Sequence, residues 1–441
     1  MKARVGMIWM VAAMLCAALA PGCARKSEGP VIHFLMWKPH QPKPLEDAIA
    51  RFEKENPGVR VARHIGSENA SEYYRELTTK LRNRDPDLDV FFLDVIWPPE
   101  FVARGYLQDL SERFPPGERK NFFPGPLSAD TVDGRVYAVP YNIDMGLLFY
   151  RKDLLEKYHF KPPATWDELL RQADAILKGE GKVNPDLTGY AGQFDKYEGL
   201  VCNVLEFVES RGGSFLDDSG RPAVNSPAVI GAVRFVRDEL IHNQDHPRRA
   251  SDYLLTAKEQ ETRDIFARGD AVFLRNWPET WGILNDASRS KVAGRVGMAP
   301  LPAFEGGKRA ATLGGWQLGI ASYSKRKGLA WQFVSFMTRN DVQRDLAIQK
   351  GQTMARMTIY DDPELVKAMP HFALEGPWGS PLRDAARVAV PRPRSVRYNA
   401  VSERIQTIIH DAIRDPDSDI PALMAQLSGE LDQEIRKAPS P

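Results

Sequence analysis

Two aspartates stand where open sheets commonly take ligands. Asp94 closes the apolar run Val90-Phe91-Phe92-Leu93, which reads as a buried strand. Asp144 lies in Tyr141-Asn142-Ile143-Asp144-Met145-Gly146, between the strand-like runs Arg135–Pro140 and Leu147–Tyr150. A buried carboxylate accepts charge-assisted hydrogen bonds from paired hydroxyls at about 1.5–3 kcal/mol each. A pair of carboxylates is also the equipment of glycoside hydrolysis. Three tryptophans sit near similar breaks: Trp97 after Asp94, Trp277 after Ala271–Leu274, and Trp316 after Gly314-Gly315. One indole face laid on a ligand's C–H patch hides roughly 60–80 Å², or about 1.5–2 kcal/mol. The two glycines would let the backbone approach closely. Trp97 reads more as core than as site, and Trp281 and Trp331 read as core.

Other chemistries find little support. The chain has no GxSxG elbow, HExxH, CxxC or Walker loop. His242 and His246 are four apart, but Pro247 follows at once and no third ligand stands nearby, so no metal and no cofactor are expected. Cys202 lies in an apolar run and reads as a buried structural residue. Basic and acidic residues number 59 and 58, with no long basic stripe, which argues against nucleic acid.

The elements that must hold these residues alternate. Val31–Trp37 reads as a strand, Leu45–Asn56 as a helix stopped by Pro57-Gly58, and Val59–Val61 as a second strand. A helix from about Ser71 to Asn83 follows, and then the strand that ends at Asp94. That pattern builds a parallel sheet, which binds ligands beyond the carboxyl ends of its strands. The middle of the chain is mostly helical, with Thr165 and Glu168 spaced as a capping box. Further strands are expected at Val296–Pro300 and Gly319–Ala321. Two such regions joined by returns of the chain imply two α/β lobes with a cleft between them.

The N-terminus carries Lys2 and Arg4, an uncharged apolar run from Val5 to Ala20, and Ala20-Pro21-Gly22-Cys23. This is the form of an export signal over residues 1–22. Its loss would take the basic count from 59 to 57 against 58 acidic residues. A cysteine behind small residues resembles a lipobox, so Cys23 is expected to carry lipid. Cys202 would then have no partner for a disulfide. The expected product is an exported, periplasmic or cell-surface lipoprotein that touches the membrane only through its anchor.

Several stretches together resemble one family. They are Phe52–Val59, Asp89–Asp94, Tyr150–Leu155, Pro163–Leu169, Tyr197–Cys202, Arg275–Pro278, Ala311–Trp316 and Val390–Pro393. They are similar to bacterial extracellular solute-binding proteins of the sugar type, within them to the trehalose/maltose-binding subgroup. The resemblance runs from about residue 31 to 430. It implies an α/β, periplasmic-binding-protein-like fold of two lobes joined by hinge crossovers. Lobe I would comprise 31–141 and 317–380, lobe II 145–314 and 385–441, and the crossovers 142–146, 314–318 and about 380–386. The implied function is the binding part of an ABC sugar importer, a monomer that holds a neutral disaccharide such as trehalose or maltose unchanged and hands it to permease subunits. By residue, the resemblance assigns Asp94, Asp144, Trp277, Gly315, Trp316 and Arg383 to the sugar site, with Gln41 and Arg356 aligned less securely. Asn142 stands where relatives often have Tyr. Another α-glucoside such as sucrose, a lectin without a transporter, and a secreted glycosidase using Asp94 and Asp144 are the alternatives.

Overall fold

The computed structural model describes residues 29–38, 42–217, 219–369 and 381–437. The export segment, Cys23 and Gln41 lie outside the described residues. The strands Val31–Met36, Arg60–Ile65 and Val90–Asp94 pair in parallel, as the strand–helix alternation requires. The chain leaves this sheet after Asp94 and rejoins it from two later segments. Trp316–Ile320 then adds antiparallel to Val90–Asp94, setting Trp316 opposite Asp94, and Ala138–Pro140 closes the edge. Val90–Asp94 is buried along its whole length, so its sequence is an uninterrupted apolar run rather than an alternation. Helices cover the sheet. Phe333, on the returning helix Lys327–Met337, meets Phe34 of the sheet and Phe52 of the helix Pro42–Glu55 with ring centroids 5.2 and 5.1 Å apart.

A second sheet has the order Val296–Pro300, Leu147–Arg151, Ala271–Asn276, Thr188–Ala191. Its helices include Trp166–Glu180, whose N-cap Thr165 accepts from the Glu168 amide at 3.1 Å. The Glu168 carboxylate instead accepts from the Ala164 amide at 2.7 Å, one residue before the N-cap, so Thr165 caps the helix as expected but the reciprocal bond of a capping box is not made.

A small third sheet ties the two together. Ala311–Gly314 pairs with Asp144–Met145 on one side and Ala389–Val390 on the other. The first two of these strands in chain order, Asp144–Met145 and Ala311–Gly314, lie in or beside the expected crossover segments 142–146 and 314–318. The third lies beyond the expected 380–386 segment, and Pro381–Arg387 is a helix instead. The C-terminal helices Tyr398–Arg414 and Ile420–Arg436 pack on each other, and the first also packs against Glu198–Ser210. Among the described residues, no helix is long and apolar enough to cross a membrane.

Candidate functional site

A cavity of about 280 Å³ opens where the carboxyl end of the first sheet, the crossover sheet and the second lobe meet. That volume lies near the lower end for small-molecule sites. Its wall contains Asp94, Asp144, Trp277, Gly315 and Trp316, five of the residues expected from sequence.

Asp94 does not stand free at its strand end. Arg392 spans from it to Glu198, and these three side chains are 11, 2 and 11% exposed respectively. One guanidinium nitrogen donates to Asp94 Oδ2 at 3.2 Å and to Glu198 Oε1 at 2.7 Å, and the other pairs with Asp94 Oδ1. Glu198 begins the helix Glu198–Ser210 and also accepts from the Tyr398 and Ser402 hydroxyls. Arg392 thus joins a carboxylate of the first sheet to one carried by a helix of the second lobe, from a segment that leaves the crossover sheet.

Asp144 faces the same space. Asn142 Nδ2 donates to its Oδ2 at 2.8 Å, while its Oδ1 is buried without a hydrogen-bond partner. Burial, with repulsion from Glu279, pushes this carboxyl up to about 8. Near neutral pH it therefore carries a proton and can donate as well as accept. Behind it lies Lys350, 7% exposed, with Nζ 3.5 Å from Gln352 Oε1. Burial pushes its ammonium down to about 8 against the pull of Glu279 and Asp144.

These two groups give opposite pH limbs. Asp144 holds its proton more tightly folded than at its ordinary value of 3.8, so its share of stability is full below about pH 4 and is lost by about pH 8. Lys350 releases its proton more readily folded than at its ordinary 10.5, so its penalty, constant below about pH 8, disappears toward 10.5. Urea midpoints should show Asp144→Asn, which copies the protonated carboxyl, gaining stability relative to the wild type as pH rises from 4 to 8. For Lys350→Met the difference should change only above 8. Parallel pH profiles for the wild type and both variants would contradict this assignment.

The indoles come from both lobes. Trp316 stacks on Trp37 with centroids 5.6 Å and planes 21° apart, and its edges meet Tyr73 and Trp97. Trp97 is itself a core residue, 3% exposed, as its sequence suggested. Trp277 follows the strand Ala271–Asn276 of the second sheet. Its Nε1 donates to Glu259 Oε1 at 3.3 Å, and the Arg275 guanidinium lies 4.0 Å from its ring centroid. Arg275 is fully buried and forks onto Glu206 at 2.9 and 2.6 Å.

Gly315 is a conformational requirement. Its φ is +121°, and a Cβ there would lie 2.4 Å from the Asn142 carbonyl oxygen. Strain of this kind costs about 1–3 kcal/mol before any clash is relieved. Gly315→Ala should lower the thermal midpoint and weaken ligand binding together, and scanning calorimetry with an unchanged midpoint would contradict this.

Three expected site residues have other duties. Asn142 is fully buried and does not line the cavity. Its Oδ1 accepts from the Trp316 amide at 2.9 Å while its amide group holds Asp144, so it positions both neighbours. Arg356 is spent elsewhere: Nε donates to the Thr338 carbonyl at 2.8 Å, the guanidinium pairs with Glu118, and it lies 4.8 Å from the Phe122 centroid. Arg383 lies on Pro381–Arg387, is one-third exposed, and is absent from the cavity wall. Arg392, Glu198, Trp37 and Glu259 line the cavity without having been expected there. Arg392 was visible within Val390-Pro391-Arg392-Pro393, and Trp37 at the end of a strand parallel to the one that carries Asp94. His242 and His246 part company, the first to the Ile413 carbonyl and the second to Asp174. Among the described residues no metal-binding cluster forms.

The model of bacterial extracellular solute-binding proteins matches residues 38–344. A probable ABC transporter-binding protein of Deinococcus radiodurans is 37% identical over 350 residues, 78% of this chain and 79% of its own. The chain belongs to the bacterial extracellular solute-binding proteins. The solved structure of maltose-bound MalE3 from T. maritima is 37% identical with a TM-score of 0.83, covering 91% of this chain and 99% of that one. The maltotriose-binding protein of Pyrococcus abyssi is 26% identical over 78% of this chain and 70% of its own. The expected family and the periplasmic-binding-protein-like fold are therefore confirmed. As a sugar-type solute-binding protein of an ABC transporter, the chain acts outside the cytoplasm, exported or periplasmic, alongside permease subunits. Proteins of this kind bind and release their ligands and are not enzymes. The glycosidase alternative falls with that, and Asp94, pinned by Arg392, is poorly placed to act as a nucleophile.

Proposed function

We propose that this protein clamps a neutral disaccharide such as trehalose or maltose between its lobes and delivers it unchanged to an ABC permease. The observation that carries the reading is the cavity itself. Its lining combines the stacked pair Trp37 and Trp316 with Trp277 and with the carboxyl groups of Asp94 and Asp144. Stacking faces for C–H patches and carboxyl groups for hydroxyls are what a glucoside requires. The maltose-bound relative supports an α-glucoside. Sites at Asp94, Asp144, Trp277, Gly315 and Trp316 are assigned to the ligand, with Arg392 and Glu198 holding Asp94. Closure bends the crossover strands, with residues 31–141 and 317–369 moving against 145–314 and the C-terminal helices.

A disaccharide of about 23 heavy atoms at roughly 0.3 kcal/mol per atom reaches about 7 kcal/mol, or roughly ten micromolar. A receptor that must release its cargo needs no more. A thermal-shift panel of maltose, trehalose, sucrose and maltotriose tests the reading. Saturable stabilisation by maltose or trehalose is expected, and a flat response to all four would refute it.

The mature protein is proposed to be a monomeric lipoprotein anchored through Cys23. Cys23→Ser should release it from the membrane fraction. A variant that remains wholly with membranes would rule out this anchor.

A further inference from the structure

We propose that the cleft sorts disaccharides by charge: one carrying a protonated amine binds more tightly than its neutral parent, and one carrying a carboxylate is rejected. This rests on the sugar-clamp reading and names its ligand class more closely.

The cavity wall carries eight aspartates and glutamates against two cations, Lys258 and Arg392. Both cations are committed. Arg392 is shared between Asp94 and Glu198, and Lys258 Nζ lies 3.5 Å from Asp195, outside the wall. Glu68 pairs with Lys38 at 3.1 Å, Asp144 holds a proton near neutral pH and Lys350 lies buried behind it, and the wall with Glu72, Glu259 and Glu261 still carries net negative charge. A walled cleft of one sign focuses its field on whatever enters it. Neutral hydroxyls need acceptors, but they do not need a wall of net negative charge.

The excess has a focus at Trp277. The place where a Cβ on Gly314 would sit lies 3.2 Å from the Trp277 ring and 3.3 Å from Asp144 Cβ, so indole and carboxyl are neighbours. On its other side, Trp277 Nε1 donates to Glu259. Asp144 Oδ1 is buried without a partner, and Glu259 is met by neutral donors, the indole and the Tyr197 hydroxyl. Arg275 covers the back of the indole with its charge balanced by Glu206, leaving the other face to the cleft. An indole face flanked by two carboxyl groups suits an ammonium, which offers three N–H donors and a charge for the ring. A sugar carboxylate at the same place would meet the charge of Glu259 beside the ring, and the two cations of the wall are already paired.

Calorimetry at low salt tests this with maltose and trehalose, and with the 2-amino, 6-amino and 6-carboxylate derivatives of whichever parent binds. At least one amine should bind five times or more tightly than its parent, with the advantage shrinking in 0.5 M salt. The carboxylate should bind at least ten times more weakly. In Glu259→Gln the amine-to-parent ratio should fall toward one. A carboxylate within twofold of the parent, or amines no tighter than it, would overturn the charge selectivity while leaving the sugar reading standing. Silence from both parents and from the amino derivatives of both would overturn the sugar reading, and the selectivity with it.

Discussion

Replacing Arg392 with methionine should abolish measurable ligand binding and destabilise the fold by about 3–5 kcal/mol, the usual cost of stranding a buried ion-pair partner. Two carboxylates depend on this guanidinium, and both have side chains only 11% exposed. Without it, Asp94 and Glu198 face each other across the lobe boundary as like charges. The cost has two parts that a second substitution separates. Adding Asp94→Asn to Arg392→Met removes the repulsion, and it should restore most of the denaturant midpoint. It should not restore binding, because Asp94 would no longer present a carboxylate held by a guanidinium. Full recovery of binding in the double variant would mean that Arg392 serves stability alone. The same geometry alters how Asp94→Ala reads. Affinity should still fall at least tenfold, but the variant also leaves Arg392 with a single carboxylate partner and loses stability.

Trp316→Ala should weaken disaccharide binding at least tenfold. The indole is only partly buried, so a face remains for ligand, while Trp37 stacks at 5.6 Å and Tyr73 and Trp97 fix its edges. Losing one stacking face forfeits roughly 1.5–2 kcal/mol, already more than a decade in affinity. Trp37 then loses its stacking partner, which adds to the loss. Unchanged calorimetric affinity in a folded Trp316→Ala variant would remove this ring from the site.

Much of this arrangement was legible in local sequence, because local rules govern it. Val31–Met36 and Val90–Asp94 are apolar runs with clear stops, and the helix between Asn69 and Asn83 has its cap and amphipathic face. The partnerships at the site are long-range. Asp94 and Arg392 are 298 residues apart, and the crossover strands Asp144–Met145 and Ala389–Val390 are two residues each, too short for any periodicity. Arginines were hardest to place. The side chain is long and finds backbone carbonyls as readily as ligands, as Arg356 does at Thr338. Asn142 illustrates the same limit. It stands where relatives often have Tyr, which suggested ligand contact, yet it is buried between Asp144 and the Trp316 amide.

The most direct measurement is titration calorimetry of the intact protein with maltose and trehalose, followed by chromatography of the recovered sugar. The account predicts one molecule bound per chain at micromolar affinity and a disaccharide returned whole. No heat with either sugar, or glucose among the products, would contradict it.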